Sequence, residues 1–418
     1  MIYPSEMRLA IRAAMLCLFL LGIARAEENT SSVSRLAFEV KLDTVLEHDD
    51  GKFLWFHPRA AAIPGFGKSG QPAVVMTLQK HLKVSDYYSG ESVMRTDDYG
   101  ATWSEPELRP ELDWRHDSNG VVIAVADVTP GWHAATGRLL AIGAEVRYSK
   151  DGLQLGDQPR SHQTAFAVFD PQTGDWIGWK RLEMPKDQMF EFARCACSQW
   201  LVEPDGTVLL AMYLDSTTAG SVFSVTVVRF SFDGKQLKYI EHGNVLELDV
   251  VRGLVEPQLA KFRNRYYLSL RNDVKAYVTT SADGLHYEPI KPWTFDDGSE
   301  LGSYNTQQHW LTHSEGLFLS YTRRGANNDH IMRNRAPLFI AQVDPQKLEV
   351  LRDTEQVLVP ERGAGLGNFG AATIDEKESW VTVGEYFDSD AARKRGAKGA
   401  VFVSRVIWSK PNRLAAER

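Results

Sequence analysis

Hydrophobic residues recur along this chain in short runs, and turns rich in Asp, Gly and Pro separate one run from the next. The runs contain mainly Val, Leu, Phe and Tyr, and apolar residues at helical spacing are almost absent. Short runs bounded by turn-forming residues are typical of β-strands. The pattern therefore predicts an all-β fold.

One kind of turn repeats along the chain. Each example contains an Asp that is followed closely by Gly or by Pro-Gln, and the successive Asp residues lie 50 to 72 positions apart. A unit of that size matches one four-stranded blade of a β-propeller. The five turns contain Asp98, Asp170, Asp233, Asp283 and Asp344.

Six pairs of candidate strands accompany these turns, which predicts a six-bladed β-propeller, although a seventh blade stays open. The last unit has one further strand, Ala400–Trp408, and Ala37–Leu46 can supply its outer strand, so that the N- and C-terminal strands close the ring. The pairs are Ala60–Ile63 with Ala73–Leu78, Gly120–Val128 with Leu139–Val146, Ser198–Glu203 with Val208–Leu214, Glu256–Phe262 with Tyr266–Arg271, Gln307–Thr312 with Leu317–Thr322, and Phe369–Asp375 with Ser379–Tyr386.

The first 26 residues are typical of a secretory signal peptide. Arg8 and Arg12 precede an apolar run, Ala13–Ile23, and Ala24-Arg25-Ala26 forms a cleavage site of the small-x-small type. The run is too short to span a bilayer, which needs about 20 residues. We therefore expect residues 27–418 to form a single propeller domain that is periplasmic or secreted.

Composition and charge exclude several functions. The 418 residues carry a net charge of −7, whereas a nucleic-acid-binding protein normally has a basic surplus. No nucleotide-binding, dinucleotide-binding, zinc-protease or EF-hand pattern is present, so neither a cofactor nor a metal ion is predicted. Cys195 and Cys197 would point to the same face of a strand, a poor geometry for a disulfide, and are expected to be buried free thiols. A monomer without a membrane span is expected.

Two turns carry a resemblance to a known family. Thr96-x-Asp98-x-Gly100-x-x-Trp103 resembles the Asp box of the sialidase superfamily, and Ser281-x-Asp283-Gly284-x-x-Tyr287 resembles a version shortened by one residue. His57–Pro64 is similar to the Arg-Ile-Pro segment of sialidases, but Arg59 and Ile63 are four positions apart. The resemblance implies a propeller that acts on a glycan.

The resemblance also implies roles for individual residues. Sialidases hold a substrate carboxylate with three arginines, and Arg59, Arg271 and Arg323 could fill these positions. They also use an Asp as the acid, but Ala73–Gln79, where that Asp is expected, contains none. The chain is also similar to sialidase-like propellers that act on rhamnose–glucuronate linkages, both hydrolases and lyases, in which a histidine carries much of the chemistry.

The starts of the inner strands supply the candidate site, because the inner strands of all blades converge on one mouth. Glu256 precedes a strand pair that ends in Arg271 and is a candidate general base, or else one half of a salt bridge. His57 and His309 are candidate acid/base groups because imidazole titrates near neutral pH. Arginine suits a carboxylate because its planar guanidinium matches both oxygens. Gln308 and Asn368 are further candidates for substrate binding.

Three functional hypotheses follow. The first is a sialidase-like glycoside hydrolase that acts on a glycan containing an acidic sugar. The second is a polysaccharide lyase directed at a uronate, which needs an arginine and a base but no nucleophile. The third is a glycan-binding propeller without catalysis. In each of them the partner is an oligosaccharide or a polysaccharide.

Overall fold

The protein was analysed as a computed structural model, and six sheets contain almost all the regular structure of its described residues. The sheets are antiparallel except for one short parallel pairing in the fifth. The structure describes residues 33–83, 86–155, 163–215 and 222–417. The predicted signal peptide lies outside these residues. Arg35 and the described residues that follow it belong to one compact unit.

Each sheet is one blade, and in all but the last blade the strands follow one another in the chain. The first strand, β1 (Phe38–Glu47), belongs to the last blade. Blade 1 contains β2 (Leu54–Ile63), β3 (Ala73–His81), β4 (Ser92–Thr96) and β5 (Glu107–Leu108). Blade 2 contains β6 (Arg115–His116), β7 (Val122–His133), β8 (Arg138–Tyr148), β9 (Thr164–Asp170) and β10 (Asp175–Arg181). Blade 3 contains β11 (Ala193–Arg194), β12 (Leu201–Val202), β13 (Val208–Leu214), β14 (Ser224–Phe232) and β15 (Leu237–His242).

The second half of the ring is built in the same way. Blade 4 contains β16 (Val255–Phe262), β17 (Arg265–Arg271), β18 (Tyr277–Ser281) and β19 (Lys291–Pro292). Blade 5 contains β20 (Thr294–Phe295), β21 (His309–His313), β22 (Gly316–Tyr321), β23 (Leu338–Asp344), β24 (Glu349–Val350) and β25 (Gln356–Val359). Blade 6 contains β26 (Phe369–Thr373), β27 (Glu378–Gly384), β28 (Ala400–Trp408) and β1.

Helical structure in the described residues is limited to short segments. The α-helix α1 (Asp390–Arg395) connects β27 to β28. Among the described residues, none of the helices is both long and apolar enough to cross a membrane. The 3₁₀ helices are Lys68–Gly70, Pro110–Leu112, Ala134–Thr136, Gln188–Phe190, Met332–Asn334, Arg352–Thr354 and Arg413–Glu417.

Strand β1 closes the ring. It pairs antiparallel with β28, and Phe38 lies opposite Trp408. The prediction of an all-β, six-bladed propeller closed by its terminal strands is therefore confirmed. The described part of the chain contains six sheets, so the seventh blade that the sequence left open is not present there.

Aromatic side chains fill the spaces between blades. Trp380 of blade 6 is fully buried and contacts Tyr99 and Trp103 of blade 1, with ring centroids 5.9 and 6.1 Å away. Between blades 4 and 5, the rings of Trp293 and Trp310 are 5.6 Å apart. A Trp of this kind replaced by Ala costs about 3–5 kcal/mol in a well-packed core, so these contacts hold neighbouring blades together.

The turn after β4 explains why an Asp and a Gly recur. Asp98 accepts hydrogen bonds from the amide of Thr102 at 2.8 Å and from the hydroxyl of Thr96 at 3.0 Å. Gly100 has a φ of 80°, which favours glycine, and its amide donates to the Thr96 hydroxyl. The Thr102 hydroxyl and amide hold the pKa of Asp98 well below its usual range, so the turn keeps an ionised acceptor.

The innermost strands surround a central channel, and the channel has two unlike ends. Each innermost strand begins at a polar end of the channel and finishes at the opposite end, which contains a cavity of about 600 Å³. At the wall of this cavity, Gln199 of blade 3 exchanges two hydrogen bonds with the backbone of Trp310 of blade 5. The cavity is lined by residues that include Ala60, Ala62, Trp132, Trp200, Lys261 and Ala372.

Candidate functional site

Five blades share an unusual backbone conformation at the polar end of the channel. On or just before the innermost strand, each carries a residue other than glycine with a φ between 46° and 60°. The left-handed conformation costs such residues about 1–2 kcal/mol and persists where the surrounding structure enforces it, which happens often at functional sites. The residues are His57, Asp127, Cys197, Glu256 and Asn305.

β-Bulges produce this conformation in three of the blades. The pairing register shifts between Phe56 and Arg59, between Ala126 and Thr129, and between Val255 and Gln258. A bulge re-aims the side chain of the extra residue. In blades 1 and 4 the next residue is Pro58 or Pro257, which cannot donate a ladder hydrogen bond and so favours a bulge.

Asp127 has the most contacts among these five residues. One carboxylate oxygen, Oδ1, lies 2.9 Å from Nε2 of His57 and 2.8 Å from Sγ of Cys197, and Arg59 is 3.7 Å away. Burial raises the pKa of Asp127, but His57, Arg59 and the thiol outweigh burial and hold the pKa below its usual range. Its side chain is 23% exposed, so an ionised carboxylate faces the mouth. Sequence analysis did not identify Asp127.

Glu91 is a second carboxyl group near Asp127. Only 1% of the residue is exposed, and neither carboxyl oxygen has a hydrogen-bond partner among the described residues. Burial raises the pKa of Glu91 well above its usual range; Arg59 opposes this shift and Asp127 adds to it. Glu91 therefore keeps its proton to higher pH than an ordinary Glu, whereas Asp127 loses its proton more readily than an ordinary Asp, a division typical of acid/base sites.

Glu256 and Arg271 form the ion pair that the sequence suggested. NH1 of Arg271 donates to Oε1 of Glu256, and NH2 donates to the side chain of Asn305 at 2.6 Å. Burial lowers the pKa of Arg271, but Glu256 outweighs burial and raises the pKa, so the guanidinium keeps its charge. The Glu256 side chain is 14% exposed, which leaves this pair accessible from the mouth.

Arg335 joins Arg271 at Asn305. It comes from the loop between β22 and β23, and its NH2 donates to the backbone oxygen of Asn305 at 2.6 Å. Its side chain crosses Gly367 so closely that a Cβ there would lie 2.3 Å from Cδ. Burial and the charge of Arg271 lower the pKa of Arg335 to about 10, which still leaves it charged at neutral pH.

Two predicted binding residues lie away from this cluster. Arg323 donates to both carboxylate oxygens of Glu355, at 2.9 and 2.6 Å, within blade 5. Gln308 is bonded to the hydroxyls of Ser269 and Ser303 in the channel wall. Glu355 thus engages Arg323, and Gln308 points toward blade 4, so the structure does not bring these two residues together with the cluster at the mouth.

Gln307, the neighbour of Gln308, faces the channel instead. Its Oε1 accepts hydrogen bonds from NH2 of Arg59 at 3.3 Å and from Nε2 of His309 at 3.1 Å. His309 is fully buried, and burial together with Arg59 holds its pKa well below its usual value, so the ring is neutral. Gln307 therefore ties Arg59 of blade 1 to His309 of blade 5 beneath the mouth.

The other predicted residues lie at or near the mouth. Arg59 is buried, and its Nε and NH1 atoms have no hydrogen-bond partner among the described residues. The ring of His57 lies 5.0 Å from that of Tyr88. Asn368 is half-buried and immediately precedes β26. The structure thus brings together Arg59, His57, His309, Glu256 and Arg271.

The two cysteines are free and buried, as the sequence predicted, but they do not share a face. Cys195 packs in the hydrophobic cluster between blades 2 and 3. Cys197 has a φ of 60°, which breaks the alternation and directs its thiol to Asp127. In the described part of the chain, no three His, Cys, Asp or Glu side chains are grouped so that they could hold a metal ion.

Comparisons with known proteins identify the fold. No protein-family model matches the chain, and no curated protein matches it. Solved structures do match. The sialidase of Trypanosoma rangeli in complex with the inhibitor DANA aligns with a TM-score of 0.56 at 12% identity, over 88% of this chain and 59% of that one. The chain thus spans well under two thirds of the Trypanosoma enzyme.

Two further matches agree with this one. The NanB sialidase of Streptococcus pneumoniae aligns with a TM-score of 0.54 at 12% identity, over 88% of this chain and 70% of that one. A Dyadobacter fermentans protein described as of unknown function aligns at 0.56 and 14% identity, over 88% and 99% of the two chains. The fold of this chain is therefore a sialidase-like β-propeller.

Proposed function

We propose that the protein is a glycoside hydrolase that acts on a glycan containing an acidic sugar, with Asp127 and Glu256 as its catalytic carboxylates. One observation carries the proposal. Both residues occupy strained positions at the same end of the channel, and both side chains are partly exposed there. Hydrolysis of a glycosidic bond commonly uses two such carboxyl groups, one as the acid and one as the base or nucleophile.

Asp127 suits the role of base or nucleophile. His57 and Cys197 both contact Oδ1, and among the described residues Oδ2 accepts no hydrogen bond. The lowered pKa keeps the group ionised at neutral pH. A carboxylate with one oxygen held and the other free can attack the anomeric carbon or activate a water molecule.

Arg271 and Arg335 suit the carboxylate of the substrate. They converge on Asn305 from two blades, and a guanidinium can bind both oxygens of a carboxylate. A substrate carboxylate at Arg271 competes with Glu256 for that guanidinium. Binding of an acidic sugar would thereby release Glu256 from its ion pair and leave its carboxyl group available to the glycosidic oxygen.

The experiment is a substrate screen with mass analysis. The purified protein is incubated with sialosides and with oligosaccharides containing rhamnose–glucuronate linkages, and we expect products whose summed mass has increased by one water. Glu256→Gln should lower kcat at least about 100-fold, the usual range for loss of an acid/base group. Glu355→Gln, which changes the blade 5 ion pair, serves as the control. Full activity of Glu256→Gln would contradict the assignment.

A lyase acting on a uronate is the second candidate, and the His57–Asp127 pair favours it. A histidine oriented by a carboxylate can remove a proton next to a carboxylate that an arginine neutralises. The same screen separates the two reactions. Elimination adds no water and gives an unsaturated product that absorbs in the ultraviolet. Binding without any product would favour the non-catalytic hypothesis.

A further inference from the structure

We infer that Cys197 is a positioning residue for Asp127, and that its thiol helps to fix the orientation of the carboxylate group toward the substrate. The inference rests on the proposed catalytic role of Asp127. Two contacts join these residues across the boundary between blades 2 and 3. The amide of Cys197 donates to the backbone oxygen of Asp127 at 3.0 Å, and Sγ lies 2.8 Å from Oδ1.

The contacts of Asp127 are one-sided. Both Nε2 of His57 and Sγ of Cys197 reach Oδ1, from blades 1 and 3 respectively. In the described residues, Oδ2 accepts no hydrogen bond. A partial rotation about the Cβ–Cγ bond would lengthen both contacts, so the two donors together fix the plane of the carboxylate. One oxygen position is then held inward, and the other remains available to react.

Cys197 is itself held from blade 4. The side-chain amide of Gln258 donates to the backbone oxygen of Cys197 at 3.0 Å and to that of Glu256 at 3.1 Å. Gln258 also accepts a hydrogen bond from the amide of Gln199 at 2.7 Å. The thiol is therefore fixed relative to both proposed catalytic carboxylates. A rigidly held donor orients its partner at a smaller cost in entropy than a mobile one.

The thiol keeps its proton in this position. Burial and the charges of Asp127 and Glu256 raise the pKa of Cys197 well above its usual range, so the group can donate to Oδ1. Other ionisable groups also face Asp127 from neighbouring elements, and they contribute to its pH behaviour. These are His57, Arg59, Tyr88, Glu91, Tyr148 and Tyr213.

The test compares three variants by kcat and by the pH dependence of kcat/KM on the substrate that the screen identifies. Cys197→Ala should lower kcat about tenfold, the equivalent of one hydrogen bond to a charged group. It should also move the acidic limb of the profile to higher pH, because Asp127 loses a donor that lowers its pKa. Cys197→Ser keeps a donor and should restore most of both properties.

Cys195→Ala is the matched control. It removes a buried thiol two positions away that packs between blades and has no contact with Asp127, so both kcat and the profile should be unchanged. Thermal melting of all three variants shows whether they fold. If Cys197→Ala fails to fold, the Ser variant decides alone: an unchanged profile supports the inference, and a loss as large as that of Asp127→Asn overturns it.

Two outcomes distinguish this inference from the proposed function. A wild-type kcat and pH profile in Cys197→Ala, together with an inactive Asp127→Asn, overturns the positioning role and leaves the proposed function intact. Full activity of Asp127→Asn overturns the catalytic role of Asp127, and the inference about Cys197 with it. Equal losses in the Ala and Ser variants also overturn the hydrogen-bond role.

Discussion

The two ends of the channel are built from the same inner strands but differ in their backbone. At the polar end, five blades carry a non-glycine residue in the left-handed region. At the cavity end, the same strands continue with regular pairing and small side chains such as Ala60, Ala62 and Ala372. Among the described residues that line the cavity, only Arg263, in the turn after β16, has a positive φ outside glycine.

The difference shows which end of the channel contains backbone conformations that lower the stability of the fold. Five left-handed residues at about 1 kcal/mol each would cost about 5 kcal/mol, which is comparable to the whole stability of many proteins. Glycine at these positions would remove that cost, and the cavity end shows that the strands can run without it. These side chains lie where we propose the catalytic site, and if that proposal is correct, variants at the two ends should behave differently.

The largest expected effect is on Asp127. Asp127→Asn keeps the shape of the side chain but removes the negative charge, so kcat should fall about 1,000-fold. Arg263→Ala at the cavity end changes an exposed charge and should leave kcat within about twofold. Steady-state kinetics of both variants measure this contrast. Equal effects at the two ends would contradict the assignment of the site.

The next effect concerns substrate binding by Arg335. Arg335→Lys keeps a charge but loses the planar guanidinium, so KM for an acidic glycan should rise about tenfold or more, with a smaller change in kcat. Arg323→Lys is the matched control, because Arg323 pairs with Glu355 within blade 5. An unchanged KM in the Arg335 variant would remove this residue from the binding site.

Gly367 at the polar end and Gly131 at the cavity end can each be replaced by Ala, with a similar steric overlap, to compare the two ends. An added Cβ at Gly367 would lie 2.3 Å from Cδ of Arg335, and one at Gly131 would lie 2.5 Å from the Trp200 ring. Both Gly→Ala variants should lose about 1–3 kcal/mol of stability through overpacking. Only Gly367→Ala should raise KM, because it displaces Arg335. Chemical denaturation measures the stability of the two variants, and steady-state kinetics measures their KM.

The smallest effect is a pH-dependent change of stability at Glu91. The pKa of this group is raised in the folded protein, so above the ordinary pKa of Glu the unfolded chain loses a proton that the folded protein retains. The free energy of unfolding of the wild-type protein therefore falls as the pH rises from the ordinary pKa of Glu to the raised pKa of Glu91. Glu91→Gln should melt a few degrees higher than the wild type at pH 7 and at the same temperature at pH 4. Identical melting temperatures at both values would contradict the buried neutral state.

Sequence patterns were enough to find the fold because its main features are local. Each strand pair and each Asp turn is visible within about 25 residues, and the pairing of the terminal strands followed from one missing outer strand. Glu256 and Arg271 were also visible, since they begin and end a hairpin. Where side chains alternate regularly between the two faces of a strand, the sequence pattern alone predicts the strand correctly.

The missed residues depend on departures from that regularity. Asp127 lies inside what the pattern presents as a regular strand, and its φ is 58°. Asp adopts a positive φ more readily than most residues, but the sequence does not show which Asp does so. A Pro after His57 and after Glu256 is the one local hint of a bulge, and blades 2 and 3 lack it. Arg323 and Arg335 lie at opposite ends of the same loop. Glu355 binds Arg323 and leaves Arg335 to reach the mouth, and the sequence does not show where Glu355 lies.

The pairing of β1 with β28 also bears on how the protein folds. Phe38 and Trp408 are opposite each other although they are 370 positions apart (408 − 38). Contacts of such separation slow folding, because a long stretch of chain must be ordered before they form. During synthesis, blades 1 to 5 can form one after another, whereas β1 has no partner until β28 has been made. Blade 6 is then the last to form, and it sets the moment at which the ring becomes complete.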